Sequence, residues 1–188
     1  AIICISVKRE NSVGSICIDL TGQTDGVNSA DLFALGTKAG DVLTFRYGEL
    51  TNMDNMANTD GAIGTVWTEN LLSARATDYY IIGSENSAIE FRHTIHGFRY
   101  MQIDGLASPI PPENISFNVL MSAMEPVGSF SCSNELLNRF YENSKRSIES
   151  NLIDKPTDCP QRDERLGWAG DAQNAAMFAS YVYNTKEF

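Results

Sequence analysis

The chain has 188 residues, enough for one domain or two small ones, and its 43% hydrophobic content is ordinary for a globular protein. Its net charge of −10 and its pI near 4.6 argue against nucleic acid or an anionic membrane as a partner, because an acidic surface repels phosphate. No apolar run approaches the roughly 18 residues of a membrane-spanning helix. We therefore expect no nucleic-acid partner and no membrane partner.

Residues 1–125 read as short strands separated by turns. In the clearest strand, Leu43, Phe45 and Tyr47 alternate with Thr44 and Arg46, a period of two that predicts one buried face. Further strand-like runs lie at Ile2–Val7, Ser15–Leu20, Asp78–Ile82, Ile89–His93, Phe98–Ile103 and Ile115–Leu120. Many short strands at this spacing predict an antiparallel β-sandwich domain over residues 1–125.

Residues 126–188 have a helical pattern instead. Ser133 is a candidate N-cap for a first helix. One apolar stripe follows at three- and four-residue steps, formed by Leu136, Leu137, Phe140, Tyr141 and Ile148. A second helix is predicted from Ala172 to about Tyr183, with alanines on one face. The chain should therefore be mixed β and α, with its helices after its strands.

The segment between the predicted helices, residues 154–171, is dense in acidic residues, arginines and one tryptophan. Such a charge run is more often a solvated helix face than a site. Here Pro156 and Pro160 fix the backbone and Gly167 and Gly170 loosen it, which disfavours a regular helix. Carboxyl groups, guanidinium groups and an indole are also the groups that hold a sugar and cleave its glycosidic bond. The segment therefore reads as a site on a loop.

Asp158-Cys-Pro-Gln-Arg-Asp-Glu-Arg-Leu-Gly-Trp-Ala-Gly-Asp-Ala-Gln173 closely resembles the signature of the α-L-rhamnosidases of glycoside hydrolase family 78. Upstream, His96-Gly-Phe-Arg-Tyr100 and Gly128-Ser-Phe-Ser-Cys-Ser-Asn134 resemble two further segments of that family, in the same order. Ala169 departs from the expected threonine, and Thr21–Asp31 matches the family's glycine-rich turn loosely. The resemblance implies an antiparallel β-sandwich followed by the first helices of a truncated (α/α)6 barrel.

The resemblance also implies roles for individual residues of the signature. Glu164 matches the general acid, which must still hold a proton near neutral pH. Three side chains match positions that hydrogen-bond the rhamnose hydroxyls, namely Asp158, Arg162 and Asp171. Trp168 matches an aromatic wall that faces the C–H edge and the methyl group of the sugar.

Other residues of these segments keep two interpretations. Asp163 and Arg165 either support the site or lie on the plain surface. Asp171 would also serve as the N-cap of the second helix. Cys159 is expected to be a turn residue, because no histidine lies nearby in sequence to activate its thiol. His96 is expected to be a hydrogen-bonded structural residue of the sandwich and not a catalytic base.

The implied activity is that of an inverting α-L-rhamnosidase, which removes terminal rhamnose from glycosides or polysaccharides. The resemblance places the general base beyond Phe188, so the chain is expected to be a fragment that does not turn over. We expect no metal, no organic cofactor and buried free cysteines. The apolar helical stripe should promote self-association of the fragment. A cytoplasmic location is slightly favoured over secretion. Two alternatives are a non-catalytic carbohydrate-binding β-sandwich and a structural linker domain without a ligand. The carboxylate-rich loop argues against the first.

Overall fold

The computed structural model describes residues 3–6, 13–18, 36–53, 57–83, 89–111 and 114–186. The predicted turn at Thr21–Asp31 lies outside these ranges. Within them, ten strands precede the first helix: β1 Ile3–Ser6, β2 Val13–Ile18, β3 Val42–Gly48, β4 Leu50–Thr51, β5 Val66–Trp67, β6 Thr77–Ile81, β7 Ile89–Glu90, β8 His96–Gly97, β9 Tyr100–Asp104 and β10 Ile115–Val119. The mixed β and α fold predicted from the sequence is therefore confirmed.

The strands form two larger antiparallel sheets. The first has the strand order β1-β9-β3-β6, and the second has the order β10-β2-β7, with β8 also paired to β2. In the first sheet Phe45 lies opposite Ile103. The short β4 and β5 form a hairpin of their own. Because β1 and β2 pair with strands far away in sequence, the sheets depend on long-range contacts that local patterns do not specify.

The core of the sandwich lies between the two larger sheets. Leu43, Phe45 and Tyr47 are at most 2% exposed, as the alternation in β3 predicted. The rings of Phe45 and Phe91 meet edge to face at 5.0 Å between centroids. Phe98 meets Phe117 of β10 in the same way at 5.2 Å. Phe98 also contacts Tyr47 of β3, with 4.9 Å between centroids, so these rings connect the first sheet to the second in one apolar layer.

Two helices follow the sandwich, α1 Glu135–Asn151 and α2 Ala169–Val182. The N-cap of α1 is Asn134 and not Ser133, because the Asn134 side chain accepts a hydrogen bond from the Leu136 amide at 3.0 Å. Helix α2 begins three residues earlier than predicted. Asp171 therefore lies within its first turn and does not cap it. Both helices, among the described residues, are too short or too polar to cross a membrane.

The helices share a second, smaller core. Ile148 of α1 packs against Ala179 and Val182 of α2. Beside them Tyr183 is buried, and its hydroxyl donates to Glu149 Oε1 at 2.5 Å. The other end of the predicted stripe is open, since Leu136 is 76% exposed and Phe140 is 68% exposed. The expected self-association through this face stays a prediction.

The cysteine prediction holds in part. Cys159 is buried and Cys132 is exposed, and both are free thiols. The prediction of a buried thiol is therefore wrong for Cys132. This residue lies in the turn before α1, where the Asn138 side chain holds its backbone and leaves it near solvent. The side chains of Cys4 and Cys17 lie outside the described part of the chain.

Gly128 provides a direct test of how the helical part is attached. The Val127 amide donates to the Val182 carbonyl at 2.9 Å, which brings Gly128 onto the end of α2. A Cβ at position 128 would overlap the backbone carbonyl oxygen of Tyr181. Gly128→Ala should lower the free energy of unfolding toward the upper end of the about 1–3 kcal/mol typical of overpacking. Thermal unfolding of the variant protein measures this loss.

The matched control for that substitution is Gly170→Ala. A Cβ at Gly170 meets open space inside α2, where alanine favours helix. This variant should unfold at the parent temperature or above it. If Gly128→Ala unfolds at the same temperature as Gly170→Ala, the close approach of residue 128 to α2 is contradicted.

Candidate active site

The charged segment is an irregular loop that a small hairpin presents between the two helices. The hairpin pairs β11 Leu152–Ile153 with β12 Lys155–Pro156, and Asp154 turns the chain with a φ of 66°. At one end of the loop, the Thr157 amide donates to the Asn151 carbonyl at 2.7 Å. At the other end, the Trp168 amide donates to the Pro156 carbonyl at 3.2 Å. Residues 157–168 therefore form an irregular loop, as the prolines and glycines predicted, and backbone hydrogen bonds hold its two ends.

Three of the predicted site residues converge on Cys159. Arg162 Nη2 lies 3.1 Å from Glu164 Oε2 and 4.0 Å from Asp158 Oδ2. The same nitrogen donates to Cys159 Sγ at 2.8 Å, and Arg162 Nε donates to it at 3.2 Å. The guanidinium of Arg162 therefore lies against the thiol and close to both acidic side chains. The structure brings Asp158, Arg162 and Glu164 together as one polar group.

Asp158 and Glu164 interact directly as well. A hydrogen bond from the Glu164 carboxyl group is the first cause of a lowered pKa at Asp158, and one from the Cys159 thiol is the second. Asp171 contributes to this lowering as well. These interactions favour the ionised form of Asp158.

Cys159 lies at the centre of this group, which sequence reasoning did not foresee. Its Sγ is 3.1 Å from Asp158 Oδ2 and 3.4 Å from Glu164 Oε2, and its single proton serves one of them at a time. Burial raises the pKa of the thiol to about 11, so it stays protonated at neutral pH. This agrees with the expectation that Cys159 is not a nucleophile. Its position next to Asp158 in the signature was the signal available in the sequence.

A cavity of about 570 Å³ opens between α1 and α2, and Asp158 and Asp171 line it. Its walls are partly apolar, from Ile148, Ala175 and Ala179. The volume lies within the usual range for small-molecule sites. The cavity therefore offers an apolar surface together with two carboxyl groups.

Trp168 occupies the position just before α2, and its side chain is 46% exposed. It is thus available to a ligand, but the structure does not place it within the hydrogen-bonded group of the loop. Asp163 turns the other way and accepts a hydrogen bond from Ser73 of the sandwich at 2.9 Å. Asp163 therefore supports the loop and does not belong to its polar group.

The oxygens of Asp158 and Glu164 and the sulfur of Cys159 lie within 4.8 Å of one another, close enough to share a metal ion. The positive charge that such a donor set attracts is already supplied by Arg162. Its guanidinium makes two hydrogen bonds to the sulfur and an ion pair to Glu164. The guanidinium of Arg162 therefore satisfies these donor atoms better than a metal ion would.

Two family models match the chain in succession. Residues 14–121 match the bacterial α-L-rhamnosidase concanavalin-like domain, and residues 125–188 match the bacterial α-L-rhamnosidase six-hairpin glycosidase domain. An α-L-rhamnosidase of Formosa agariphila is 41% identical over 81% of this chain and 16% of its own length. One of Streptomyces avermitilis is 31% identical over 95% of this chain and 15% of its own length. The chain spans about a sixth of these curated relatives.

Solved structures give the same result. The α-L-rhamnosidase of Streptomyces avermitilis complexed with L-rhamnose superposes with a TM-score of 0.76 and 29% identity, over 97% of this chain and 15% of that chain. The α-L-rhamnosidase of Dictyoglumus thermophilum gives a TM-score of 0.72 and 36% identity, over 93% of this chain and 17% of that chain.

The model that matches residues 125–188 describes a glycosidase domain, which places the chain among glycoside hydrolase sequences. The two family models together are more specific than that class. The chain belongs to the α-L-rhamnosidases of glycoside hydrolase family 78.

Proposed function

We propose that this chain is part of an inverting α-L-rhamnosidase that removes terminal α-linked rhamnose from glycosides or polysaccharides. Glu164 is its general acid and protonates the departing glycosidic oxygen. Asp158, Arg162 and Asp171 hold the rhamnose hydroxyls, and Trp168 faces the C–H edge of the sugar. The relatives, all named α-L-rhamnosidases, support the substrate class.

The observation that carries the proposal is the shared contact of Asp158 and Glu164 with Cys159 Sγ and with Arg162, which places the two carboxyl groups side by side. A general acid must hold a proton that it can release, and a neighbouring carboxylate favours the protonated form of its partner. The lowered pKa of Asp158 favours its ionised form, which suits a residue that accepts hydrogen bonds from sugar hydroxyls.

Arg162 connects the residues proposed to hold the sugar with the proposed acid. Its Nη2 lies 3.1 Å from Glu164 Oε2. Hydroxyl groups of a bound sugar compete for the same N–H donors. We propose that binding of rhamnose draws Arg162 away from Glu164. Substrate binding and the surroundings of the acid are then coupled through one side chain.

Inversion requires a second carboxylate about 6.5–9.5 Å from the acid, to activate water on the opposite face of the ring. We propose that this base lies in a part of the enzyme beyond the 188 residues, since the curated relatives are about six times as long as the matched region. Residues 1–125 would form the sandwich domain, and residues 126–188 would open the catalytic (α/α)6 barrel. The isolated chain should therefore bind sugar weakly and catalyse nothing.

The stereochemistry of the product tests the inverting mechanism. Proton NMR of the intact enzyme should show the first rhamnose released with the anomeric configuration opposite to that of the substrate. A single displacement by water inverts the anomeric carbon, whereas a covalent intermediate preserves its configuration. The spectrum must be taken before mutarotation mixes the anomers. Release of the retained anomer would contradict the proposal.

A further inference from the structure

Arg165 has no part in the polar group around Cys159, although it directly follows Glu164 in the chain. Its side chain crosses to the sandwich, where Nη1 donates to the Ile95 carbonyl at 2.7 Å. Its second terminal nitrogen, Nη2, donates to the Pro160 carbonyl of the same loop at 2.8 Å. One planar guanidinium thus connects three backbone segments, those of Ile95, Pro160 and Arg165 itself. Because the fork is rigid, it fixes their relative positions.

The environment of Arg165 is unusual for an arginine that only decorates a surface. Its Nε is buried and finds no hydrogen-bond partner among the described residues. Burial lowers the pKa of its guanidinium, and the negative charge of Asp163 only partly opposes this. A buried charge with neutral carbonyl partners costs free energy. Burial of Arg165 therefore lowers the stability of the fold. Its function in holding the loop against the sandwich explains why the residue is nevertheless buried.

The sandwich segment that receives Arg165 is itself held firmly. His96 Nε2 lies 2.9 Å from Asp78 Oδ2, and the Thr94 hydroxyl donates to the same oxygen at 3.1 Å. The His96 ring stacks on Tyr47 of the core, with 4.1 Å between centroids. The residues on either side of Arg165's acceptor, Ile95, are thus anchored to the core. This also agrees with the expectation that His96 is structural.

The backbone next to that anchor touches the loop directly. A Cβ added at Gly97 would lie 2.8 Å from the carbonyl carbon and oxygen of Pro160. Pro160 therefore packs directly against the backbone of Gly97. Pro160 is the residue that follows Cys159 in the loop. A side chain at this position would push Pro160, and Cys159 with it, away from the sandwich.

We propose that Arg165 is a positioning residue for Glu164, by which the sandwich sets the distance and direction of the acid from the glycosidic oxygen. This rests on the proposed role of Glu164 as general acid. The sandwich then serves as the template on which the acid loop is built. A displacement of about 1 Å at a reacting group can cost as much as 10²-fold in rate.

The test uses the intact enzyme and compares an unactivated rhamnoside with an activated aryl rhamnoside. Arg165→Met should lower kcat on the unactivated substrate by at least about tenfold, while kcat on the activated substrate falls little and KM changes little. Displacement of the acid lowers the rate most for the substrate whose leaving group depends most on protonation. Arg165→Lys should rescue only partly, because an ammonium cannot reproduce the planar fork. Arg92→Met, at a 74% exposed sandwich arginine, should leave both rates unchanged.

A second variant keeps the proposal testable if Arg165→Met fails to fold. Gly97→Ala retains the guanidinium and displaces Pro160, and it should show the same selective loss on the unactivated substrate. Parallel losses on both substrates in these variants, or no loss at all, would overturn the positioning role. Glu164→Gln separates the two proposals. If it shows the selective loss and the Arg165 and Gly97 variants do not, only the positioning inference fails; if it does not, the assignment of Glu164 fails as well.

Discussion

Glu164→Gln in the intact enzyme should reduce hydrolysis of an unactivated rhamnoside by about 10²–10⁴-fold, the range of a lost general acid. The amide keeps the size and the hydrogen-bonding capacity of the side chain but has no proton to transfer. A rhamnoside with an activated aryl leaving group should lose much less, because its leaving oxygen departs with little protonation. Steady-state kinetics on the two substrates measures the difference.

The control for this substitution is Glu142→Gln, on the exposed surface of α1. It removes the same charge outside the Cys159 group and should leave both rates unchanged. Equal and small losses on both substrates in Glu164→Gln would remove Glu164 from the role of acid. If the parent protein binds rhamnose but neither it nor any variant hydrolyses the substrates, the non-catalytic carbohydrate-binding alternative is supported instead.

Arg162→Met should lower kcat/KM by roughly 10- to 100-fold, the size expected when a hydrogen bond to a charged group is lost at about 1.5–3 kcal/mol. The guanidinium contacts Cys159 and Glu164, and in the proposed complex it binds the sugar hydroxyls. Its loss should therefore raise KM for both the activated and the unactivated substrate. Titration calorimetry with rhamnose should show the same weakening of binding.

Arg162→Lys is the informative companion of that variant. Arg162 donates two hydrogen bonds to Cys159 Sγ, one from Nε and one from Nη2. Lysine keeps the positive charge but lacks this planar pair of N–H donors. Its KM should lie closer to that of Arg162→Met than to that of the parent. An unchanged KM in both variants would contradict a role for Arg162 in holding the sugar.

The charged side chains of the loop make contacts on two different sides. Arg162 and Glu164 gather around Cys159 on one side, and Asp163 and Arg165 attach to the sandwich on the other. Successive side chains of an irregular, extended segment point in opposite directions, so the signature serves both sides at once. This alternation explains why acidic and basic residues occur so densely in the motif.

Features that depend on local periodicity and backbone chemistry could be predicted from the amino-acid sequence. The buried face of β3 follows from strict alternation at Leu43, Phe45 and Tyr47, because side-chain direction in a strand repeats every two residues. Proline and glycine at the edges of the charged segment predicted an irregular loop between two helices. The signature within that loop was specific enough to predict the family, and the family models agree.

The remaining features depend on contacts between residues that are distant in the chain. The two-residue strands β4, β5 and β8 are too short to show a period, and the strand predicted from Ile89 ends at Glu90. The helical stripe is buried at Ile148 and open at Leu136 and Phe140, because burial depends on which surface meets the helix. The central place of Cys159 and the reach of Arg165 to Ile95 also lay beyond sequence reasoning. The direction of a loop side chain is set by partners distant in the chain, and no local pattern encodes those partners.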